Sequence, residues 1–314
     1  MRIPPLLKKG DRIILIAPSS PVTKEQVQSC QRQLEEMGFQ VQIGKNCTSK
    51  LHGYLAGNDL LRANELNAAF VNEEIQGIFC IRGGYGATRL LKLLDYEMIR
   101  KHPKVFLGYS DITCIHLALQ KYCDFVTYHG PMPVSNMRNG LDDYSKKWLD
   151  CILSISYNYK SIFLENPDNI KVEEISKGMA EGILCGGNLA LFTSLIGTEY
   201  LPDPEGKILF FEDIYESVPR INRMFDQLCH SKILEKCSGV LFGDFAECSN
   251  SEDTSFSIRD LIREYFSHWD KPVLAGLQFG HCVPTITLPM GMKAKIENAS
   301  LSIVPVSIED EIRV

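Results

Sequence analysis

The sequence lacks several features that mark whole classes of protein. No apolar run in its 314 residues approaches the roughly 18 residues that a membrane-spanning helix requires. The run from Ile13 to Ile16 is too short for the core of a signal peptide, and Pro18 follows it. Positive charge is not in excess, since 33 Lys and Arg stand against 39 Asp and Glu and leave a net charge of −6. We therefore predict a cytoplasmic protein that binds neither nucleic acid nor a membrane.

The sequence also lacks any Cys-x-x-Cys spacing, although it has 11 cysteines. Zinc ribbons and thioredoxin-like motifs are thereby excluded. Most of the cysteines stand in apolar segments, as Cys80 and Cys185 do, and we interpret them as reduced thiols packed in the core. We predict no metal and no other cofactor.

Strands alternate with helices over the first half of the chain. The alternation predicts an α/β domain with a parallel sheet over residues 1–155. The predicted strands lie at residues 12–17, 39–43, 78–81, 105–107 and 125–128, and the predicted helices at 24–37, 60–70, 89–94, 112–120 and 142–154. Thr23 and Gln26 form the pattern of a capping box at the start of the first helix.

The second half is richer in strands. A polar stretch predicts a linker over residues 156–175, and residues 176–314 predict a smaller, β-rich mixed domain with an antiparallel end. The predicted strands lie at residues 208–211, 240–245, 273–277, 285–288, 293–296 and 301–304, and the predicted helices near 188–196 and 221–234. Two domains also agree with the length, at roughly 100–200 residues per domain.

A glycine-rich loop, Gly83 to Gly86, follows the strand at residues 78–81. Such a loop is either a tight turn or a place where backbone N–H groups bind an anion. It does not match the dinucleotide fingerprint, because Arg89 occupies the position of the third glycine.

A second loop, Gly108-Tyr109-Ser110-Asp111, joins a strand directly to a helix. That arrangement is typical of a nucleophile elbow, although Ile112 stands where the elbow has its last glycine. Ser110 is therefore interpreted in two ways, as the N-cap of the helix or as a nucleophile.

A nucleophilic serine requires a base and a group that orients the base. Among the seven histidines, His129 and His281 follow predicted strands, where loops display their side chains. The strand at residues 208–211 runs into Glu212 and Asp213, and a carboxylate there needs a partner such as an imidazole N–H. The alternative is a pair of solvated turn acids.

Taken together, these segments resemble the LD-carboxypeptidase family, that is, the muramoyltetrapeptide carboxypeptidases and their microcin C self-immunity relatives. The segments keep the family's order over nearly the whole chain: Ala17 to Ser20, Arg82 to Gly86, Gly108 to Thr113, His129 to Pro131, Gly186 to Leu189, Phe211 to Asp213 and Gly280-His281. The resemblance implies an N-terminal α/β domain similar to class I glutamine amidotransferases, a smaller β-rich domain, no metal, and a homodimer.

The resemblance also implies the roles of individual residues. Ser110 corresponds to the nucleophile, His281 to the base and Glu212 to the orienting acid, and the amides of Gly83 and Asp111 correspond to the oxyanion hole. The implied substrate is a muropeptide tetrapeptide that loses its terminal D-alanine during recycling of cell-wall fragments.

Further residues are candidates for binding this substrate. Arg82 and Arg89, near the glycine-rich loop, could bind the carboxylate of the leaving residue. Gly84, His129 and Asn188 lie in segments that match the family and complete the predicted pocket.

Other functions stay open on the sequence alone. Within the family, the alternative is an immunity hydrolase that acts on peptidyl or aminoacyl nucleotides. Outside it, the order Ser, Glu, His also suits an α/β-hydrolase esterase, and the glycine-rich loop suits a binding module for an anion. A thiol nucleophile at Cys282 or Cys114 is a further alternative.

Overall fold

The structure, a computed structural model, describes residues 1–137, 140–153, 162–167, 170–249 and 255–304. The chain divides into two compact units of nearly equal length. The first unit comprises Met1–Ile155 with Thr287–Pro289, and the second comprises Ser156–Ile286 with Met290–Val314. The protein is a mixed α/β protein with two sheets, and the units are described one at a time.

The first unit is built on a six-stranded sheet. Its strands are β1 (Arg12–Ile16), β2 (Gln40–Ile43), β3 (Gly77–Cys80), β4 (Val105–Gly108), β5 (Thr127–His129) and β12 (Leu288–Met290). They lie in the order β12-β5-β4-β3-β1-β2. The pairs among β1 to β5 are parallel, which confirms the sheet predicted for the first half of the chain.

Helices and turns connect these strands. The helices are α1 (Lys24–Glu36), α2 (Asp59–Val71), α3 (Tyr96–Lys101), α4 (Thr113–Tyr122) and α5 (Asp143–Leu153). Short 3₁₀ segments lie at Ala87–Leu93 and Ser110–Ile112, and a π-helical turn at Pro133–Met137. The predicted capping box of α1 is present, with Gln26 N–H donating to Thr23 Oγ1 and Thr23 N–H to Gln26 Oε1.

The central strands of the first sheet form its core. Every residue of β3 and β4 is buried, and so is all of β1 after Arg12. Consecutive buried residues require both faces of a strand to be covered, as is usual for parallel strands between helices. The ends of these strands are thus held rigidly, which fixes the loops that follow β3 and β4.

The second unit is built on an eight-stranded sheet. Its strands are β6 (Ile162–Leu164), β7 (Glu173–Ser176), β8 (Ala180–Asn188), β9 (Ile208–Ile214), β10 (Gly239–Ala246), β11 (Val273–Ala275), β13 (Lys293–Glu297) and β14 (Ser300–Ile303). They lie in the order β6-β14-β13-β8-β9-β10-β11-β7. The pairs from β8 to β11 are parallel, and the outer pairs are antiparallel. The helices are α6 (Leu189–Ser194), α7 (Val218–His230), α8 (Ile233–Lys236) and α9 (Ile258–Phe266).

Several details of the sequence prediction differ from the structure. Within the predicted linker at 156–175, β6 and the start of β7 are strands of the second sheet, and residues 156–161 and 168–169 lie outside the described residues. The strand predicted at 285–288 begins only at Leu288 and joins the first sheet. The two units are nearly equal in length, whereas the sequence predicts a clearly smaller second domain, and β8 and α9 were not predicted. The domain boundaries themselves stay a prediction.

No helix in the described part of the chain is long and apolar enough to cross a membrane.

Candidate active site

Ser110 stands at the turn between β4 and α4, in a strained backbone conformation. Its φ of +64° lies in the left-handed region, which residues with a side chain seldom adopt. No side chain caps the 3₁₀ turn or α4, so the interpretation of Ser110 as an N-cap is wrong. A strained serine between a buried strand and a helix is instead the arrangement that displays a nucleophile.

The glycine-rich loop after β3 packs directly against Ser110. A Cβ atom on Gly83 would lie 2.9 Å from the Ser110 Cβ, 3.0 Å from its Oγ and 3.5 Å from the Asp111 nitrogen. At the next position, φ is +121° and a Cβ would overlap the Ser20 hydroxyl, so Gly84 also has to be glycine. Because Gly83 has no side chain, its backbone lies close to Ser110, as an oxyanion hole requires.

The Asp111 side chain points away from such a role. It is buried, and its Oδ2 accepts hydrogen bonds from Ser19 Oγ at 2.6 Å and from the Ala87 nitrogen at 2.8 Å. Burial raises the pKa of this carboxyl, while these two hydrogen bonds oppose the shift. The carboxylate therefore ties together the loops after β1, β3 and β4, and only the backbone N–H of Asp111 is left for the predicted oxyanion hole.

His129 lies behind the elbow. It ends β5 and pairs in register with Gly108 of β4, and its ring lies 5.9 Å from the ring of Tyr109. The imidazole is buried. His129 thus packs against the backbone that carries Ser110, and its predicted contact with substrate stays a prediction.

The two arginines near the glycine-rich loop have different surroundings. Arg89 is exposed, and its Nε and Nη2 lie 3.0 Å and 2.9 Å from Asp59 Oδ2. Arg62 binds the other oxygen of the same carboxylate at 2.6 Å. Arg82 instead lines a cavity beside the loop. Arg82 is therefore the better candidate for binding a carboxylate of the substrate.

In the second unit, the buried Glu212 pairs with His281, whose side chain is 12% exposed. Glu212 lies in β9 with a side chain that is 0% exposed, and its Oε2 lies 2.5 Å from His281 Nδ1. Gly280, with a φ of +101°, makes room for the pair, because a Cβ there would lie 2.5 Å from Glu212 Oε2. With a proton on Nδ1, the imidazole donates a hydrogen bond to the carboxylate, and Nε2 is the nitrogen that can accept a proton.

The charge around this imidazole favours its protonated form. Burial lowers the pKa of His281, but the charge of Glu212 and its hydrogen bond, together with Asp213 and Asp244, outweigh burial and raise the pKa above its ordinary value. A base with a raised pKa accepts a proton readily in the transition state.

Asp213, which follows Glu212 in β9, is held by Asn188 and by two backbone N–H groups. Asp213 is buried and accepts hydrogen bonds from Asn188 Nδ2 at 2.8 Å, from the Ala190 nitrogen at 2.9 Å and from the Ile214 nitrogen at 2.8 Å. Burial and the charge of Glu212 raise the pKa of Asp213 to about 6. Both acids are buried, so the alternative of solvated turn acids is wrong. The Asn188 side chain also caps α6, which leaves its predicted role in substrate binding untested.

Asp244 is a nearby residue that the sequence analysis missed. The register between β9 and β10 is interrupted between Phe242 and Phe245, and in this bulge the Asp244 nitrogen donates to the Phe279 oxygen at 3.1 Å. Bulges often re-aim a side chain beside an active site. The sequence signal was available, because an apolar strand that runs into an acid is the pattern that pointed to Glu212.

The two candidate thiols do not suit nucleophilic attack. Cys282 and Cys114 are both buried. Burial raises the pKa of Cys282 to about 12 and that of Cys114 well above its ordinary value. A reactive cysteine needs the opposite shift. Among the described residues, no group of three His, Cys, Asp or Glu side chains could hold a metal ion.

Two family models together match most of the chain. Residues 13–130 match the model of the LD-carboxypeptidase N-terminal domain, and residues 181–296 match that of the LD-carboxypeptidase C-terminal domain. The chain is 38% identical over 302 residues to the probable murein peptide carboxypeptidase of Bacillus subtilis, covering 94% of this chain and 92% of the relative.

Solved structures resemble it over almost its whole length. The muramoyltetrapeptide carboxypeptidase from Oxalobacter formigenes has a TM-score of 0.80 at 31% identity, covering 93% of this chain and 97% of that one. The microcin C7 self-immunity protein MccF in its wild-type apo state has a TM-score of 0.89 at 26% identity, covering 98% and 100% of the two chains.

The protein is therefore a hydrolase, a carboxypeptidase of the serine type. It belongs to the LD-carboxypeptidase family. This membership removes the α/β-hydrolase esterase and the non-catalytic binding module from the alternatives.

Proposed function

We propose that the protein is an LD-carboxypeptidase that releases the terminal D-alanine from muropeptide tetrapeptides. The observation that carries the proposal is the strained Ser110 beside the backbone of Gly83, and the second unit adds the Glu212–His281 pair. The similarity to the Bacillus subtilis murein peptide carboxypeptidase and, at 30% identity, to the murein tetrapeptide carboxypeptidase of Pseudomonas aeruginosa supports the substrate class.

In the proposed mechanism, His281 accepts the proton of Ser110 while Ser110 Oγ attacks the carbonyl before the terminal D-alanine. The N–H groups of Gly83 and Asp111 stabilise the oxyanion, each typically by about 3 kcal/mol. His281 then gives its proton to the leaving amine, and water hydrolyses the acyl-enzyme with His281 as the base. Glu212 holds the imidazole and stabilises its positive charge.

The proposal extends to the setting of the reaction. The first unit supplies the nucleophile, on a fold that we liken to class I glutamine amidotransferases, and the second unit supplies the base and its orienting acid. We place the enzyme in the cytoplasm, where it would act on imported cell-wall fragments, and we propose that it forms a homodimer.

The test replaces Ser110 by alanine and measures D-alanine release from a muramoyl tetrapeptide. We expect a loss of at least about 10³-fold in kcat, because no other group supplies the nucleophile. The melting temperature should not fall, since the change to alanine removes no packed group and breaks no helix cap. Activity that survives in the variant would contradict the assignment of the triad.

A second candidate is hydrolysis of an aminoacyl nucleotide analogue. It is favoured by one observation, the exposed aromatic pair Tyr54 and Tyr85 beside the glycine-rich loop, on which a nucleobase could stack. Solved structures of MccF include complexes with aspartyl sulfamoyl adenosine and glutamyl sulfamoyl guanosine. Turnover of aspartyl sulfamoyl adenosine, with no D-alanine release from the tetrapeptide, would favour this candidate over the first.

A further inference from the structure

A cavity of about 440 Å³ opens in the first unit beside the glycine-rich loop. The side chains that give it its chemistry are Ser20, Thr48, Lys50, Tyr54, Arg82 and Tyr85. Arg82 and Gly84 line it and are the chain neighbours of Gly83, so the cavity begins within one residue, about 3.8 Å along the chain, of the proposed oxyanion hole. A group bound at that hole would therefore lie beside this cavity.

The charge of the lining selects an anion. Among the described residues that line the cavity, Lys50 and Arg82 are cationic and none is acidic. Arg82 presents a planar fork of N–H donors that suits a carboxylate. In the proposed reaction the residue that leaves always carries a free carboxylate, which fits this lining.

Two tyrosines give the cavity an apolar wall. Tyr85 is 71% exposed and Tyr54 is 44% exposed, and their rings meet edge to face with centroids 6.5 Å apart. Tyrosine offers a large, rigid apolar surface with a polar tip, and it packs well against rings and alkyl chains. The methyl group of alanine would cover little of this surface.

The size of the cavity also suits a side chain larger than that of alanine. At roughly 30 Å³ for each water-sized group, the cavity holds about 15 non-hydrogen atoms. Free alanine has six such atoms and free phenylalanine has twelve. The cavity is therefore large enough for a leaving residue with a much bigger side chain than alanine.

We propose that this cavity is the subsite for the leaving residue, with Arg82 binding its carboxylate and the Tyr54–Tyr85 wall its side chain, and that the enzyme also releases large D-residues. The inference rests on the proposed LD-carboxypeptidase function. The chemistry of the step is unchanged: the same amide bond breaks, and the amine that leaves is that of D-phenylalanine or D-alanine.

The experiment uses three synthetic tetrapeptides that end in D-alanine, D-phenylalanine and D-phenylalanine amide, with kcat/KM measured for release of the last residue. We expect the free acid of D-phenylalanine to be released within about tenfold of D-alanine. The amide should be released about 100-fold less well than the acid, because it offers no charge to Arg82.

Two variants test the assignment of side chains. Tyr85→Ala should lower the ratio of kcat/KM for D-phenylalanine to that for D-alanine about tenfold, and Arg82→Gln should remove most of the preference for acid over amide. Phe163→Ala, at an exposed phenylalanine of β6, and Arg32→Gln, at an exposed arginine of α1, are the matched controls, and neither should change a ratio.

The outcomes separate this inference from the proposed function. Release of D-alanine with release of D-phenylalanine more than 100-fold slower would overturn the inference and leave the function intact. Unchanged ratios in the Tyr85 and Arg82 variants would also overturn it. If the enzyme releases neither D-alanine nor D-phenylalanine, both the inference and the proposed function are overturned.

Discussion

Replacement of Glu212 by glutamine tests the buried pair that is proposed to act as base and orienting acid. The change keeps the size of the side chain and removes its charge. A hydrogen bond to a charged acceptor contributes about 1.5–3 kcal/mol, against about 0.5–1.5 kcal/mol for a neutral one. Because Glu212 is 0% exposed, water does not screen the loss. In the resting enzyme the change should therefore cost about 1 kcal/mol.

The loss should be far larger in the transition state, where His281 carries a positive charge. In serine proteases of the Ser-His-Asp type, the equivalent change of Asp to Asn lowers kcat about 10⁴-fold. That factor corresponds to about 5.4 kcal/mol at about 1.36 kcal/mol per tenfold. We expect a fall in kcat of the same order for Glu212→Gln.

The pH dependence of activity and of stability tests the role of Glu212 independently, through the direction of each change. Glu212 is the main group that raises the pKa of His281, so its loss should move the acidic limb of kcat/KM to lower pH. The raised pKa also means that the pair stabilises the fold below about pH 6.5 and that this stabilisation is lost as the pH rises through the raised pKa. The difference in melting temperature between wild type and variant should thus be larger at pH 6 than at pH 9.

The assay is D-alanine release from a muramoyl tetrapeptide between pH 5 and 9, with thermal unfolding measured in the same buffers. Glu297→Gln is the matched control, because Glu297 forms an ion pair with Lys295 at a partly exposed site, where such pairs contribute about 0–1 kcal/mol. A Glu212→Gln variant with kcat within tenfold of wild type and an unmoved acidic limb would refute the proposed role of the pair.

Two further predictions concern the second unit. Gly186→Ala should destabilise the protein by at least about 3 kcal/mol in urea unfolding, because a Cβ would overlap the Phe210 oxygen and lie 2.7 Å from its nitrogen in β9. Gly197→Ala, with positive φ but open space, is its control, and equal losses in both variants would contradict the steric argument. Asp244→Asn should move the acidic limb of the pH profile to lower pH with little change in maximal kcat, because it removes a charge that raises the pKa of His281. An unmoved limb would show that this carboxylate does not act on the imidazole.

The parts of the fold that could be predicted are those governed by local pattern. Strands β1, β3 and β4 read as short apolar runs because they are buried on both faces. The start of α1 followed from its capping box. Ser110 was found because an elbow needs a strand, a turn and a helix in immediate succession, and all three are visible locally.

The parts that could not be predicted depend on distant contacts. Strand β8 contains three glycines and has poor intrinsic strand propensity, yet it lies at the centre of the second sheet. It forms there because its glycines allow close approach, as Gly182 does to the backbone at Gly206 and Gly186 to that at Phe210. Helix α9 was missed although Ser257 and Asp260 form a capping box at its start.

The candidate site also combines features that local sequence pattern predicts with features that depend on distant contacts. The pairing of Glu212 with His281 joins residues 69 positions apart. Local pattern showed only that a buried carboxylate needs a partner, and the choice of His281 over His129 came from the family resemblance. The different surroundings of Arg82 and Arg89 could not be read from sequence, because Asp59 lies 30 positions before Arg89. Asp244 follows an apolar strand, as Glu212 does, but the β-bulge that sets its position leaves no simple mark in the sequence.

The edge strand β12 has a consequence for the order in which the protein can be completed. The sheet that carries Ser110 takes its last strand from residues 288–290, and residues 156–286 of the second unit come before them in the chain. A nascent chain that ends earlier leaves β5, with His129 at its end, as an unpaired edge, and such edges invite pairing with other chains. The nucleophile-bearing sheet is therefore completed only after residues 156–286 of the second unit have been made, so a chain cut short before residue 288 would be prone to aggregate.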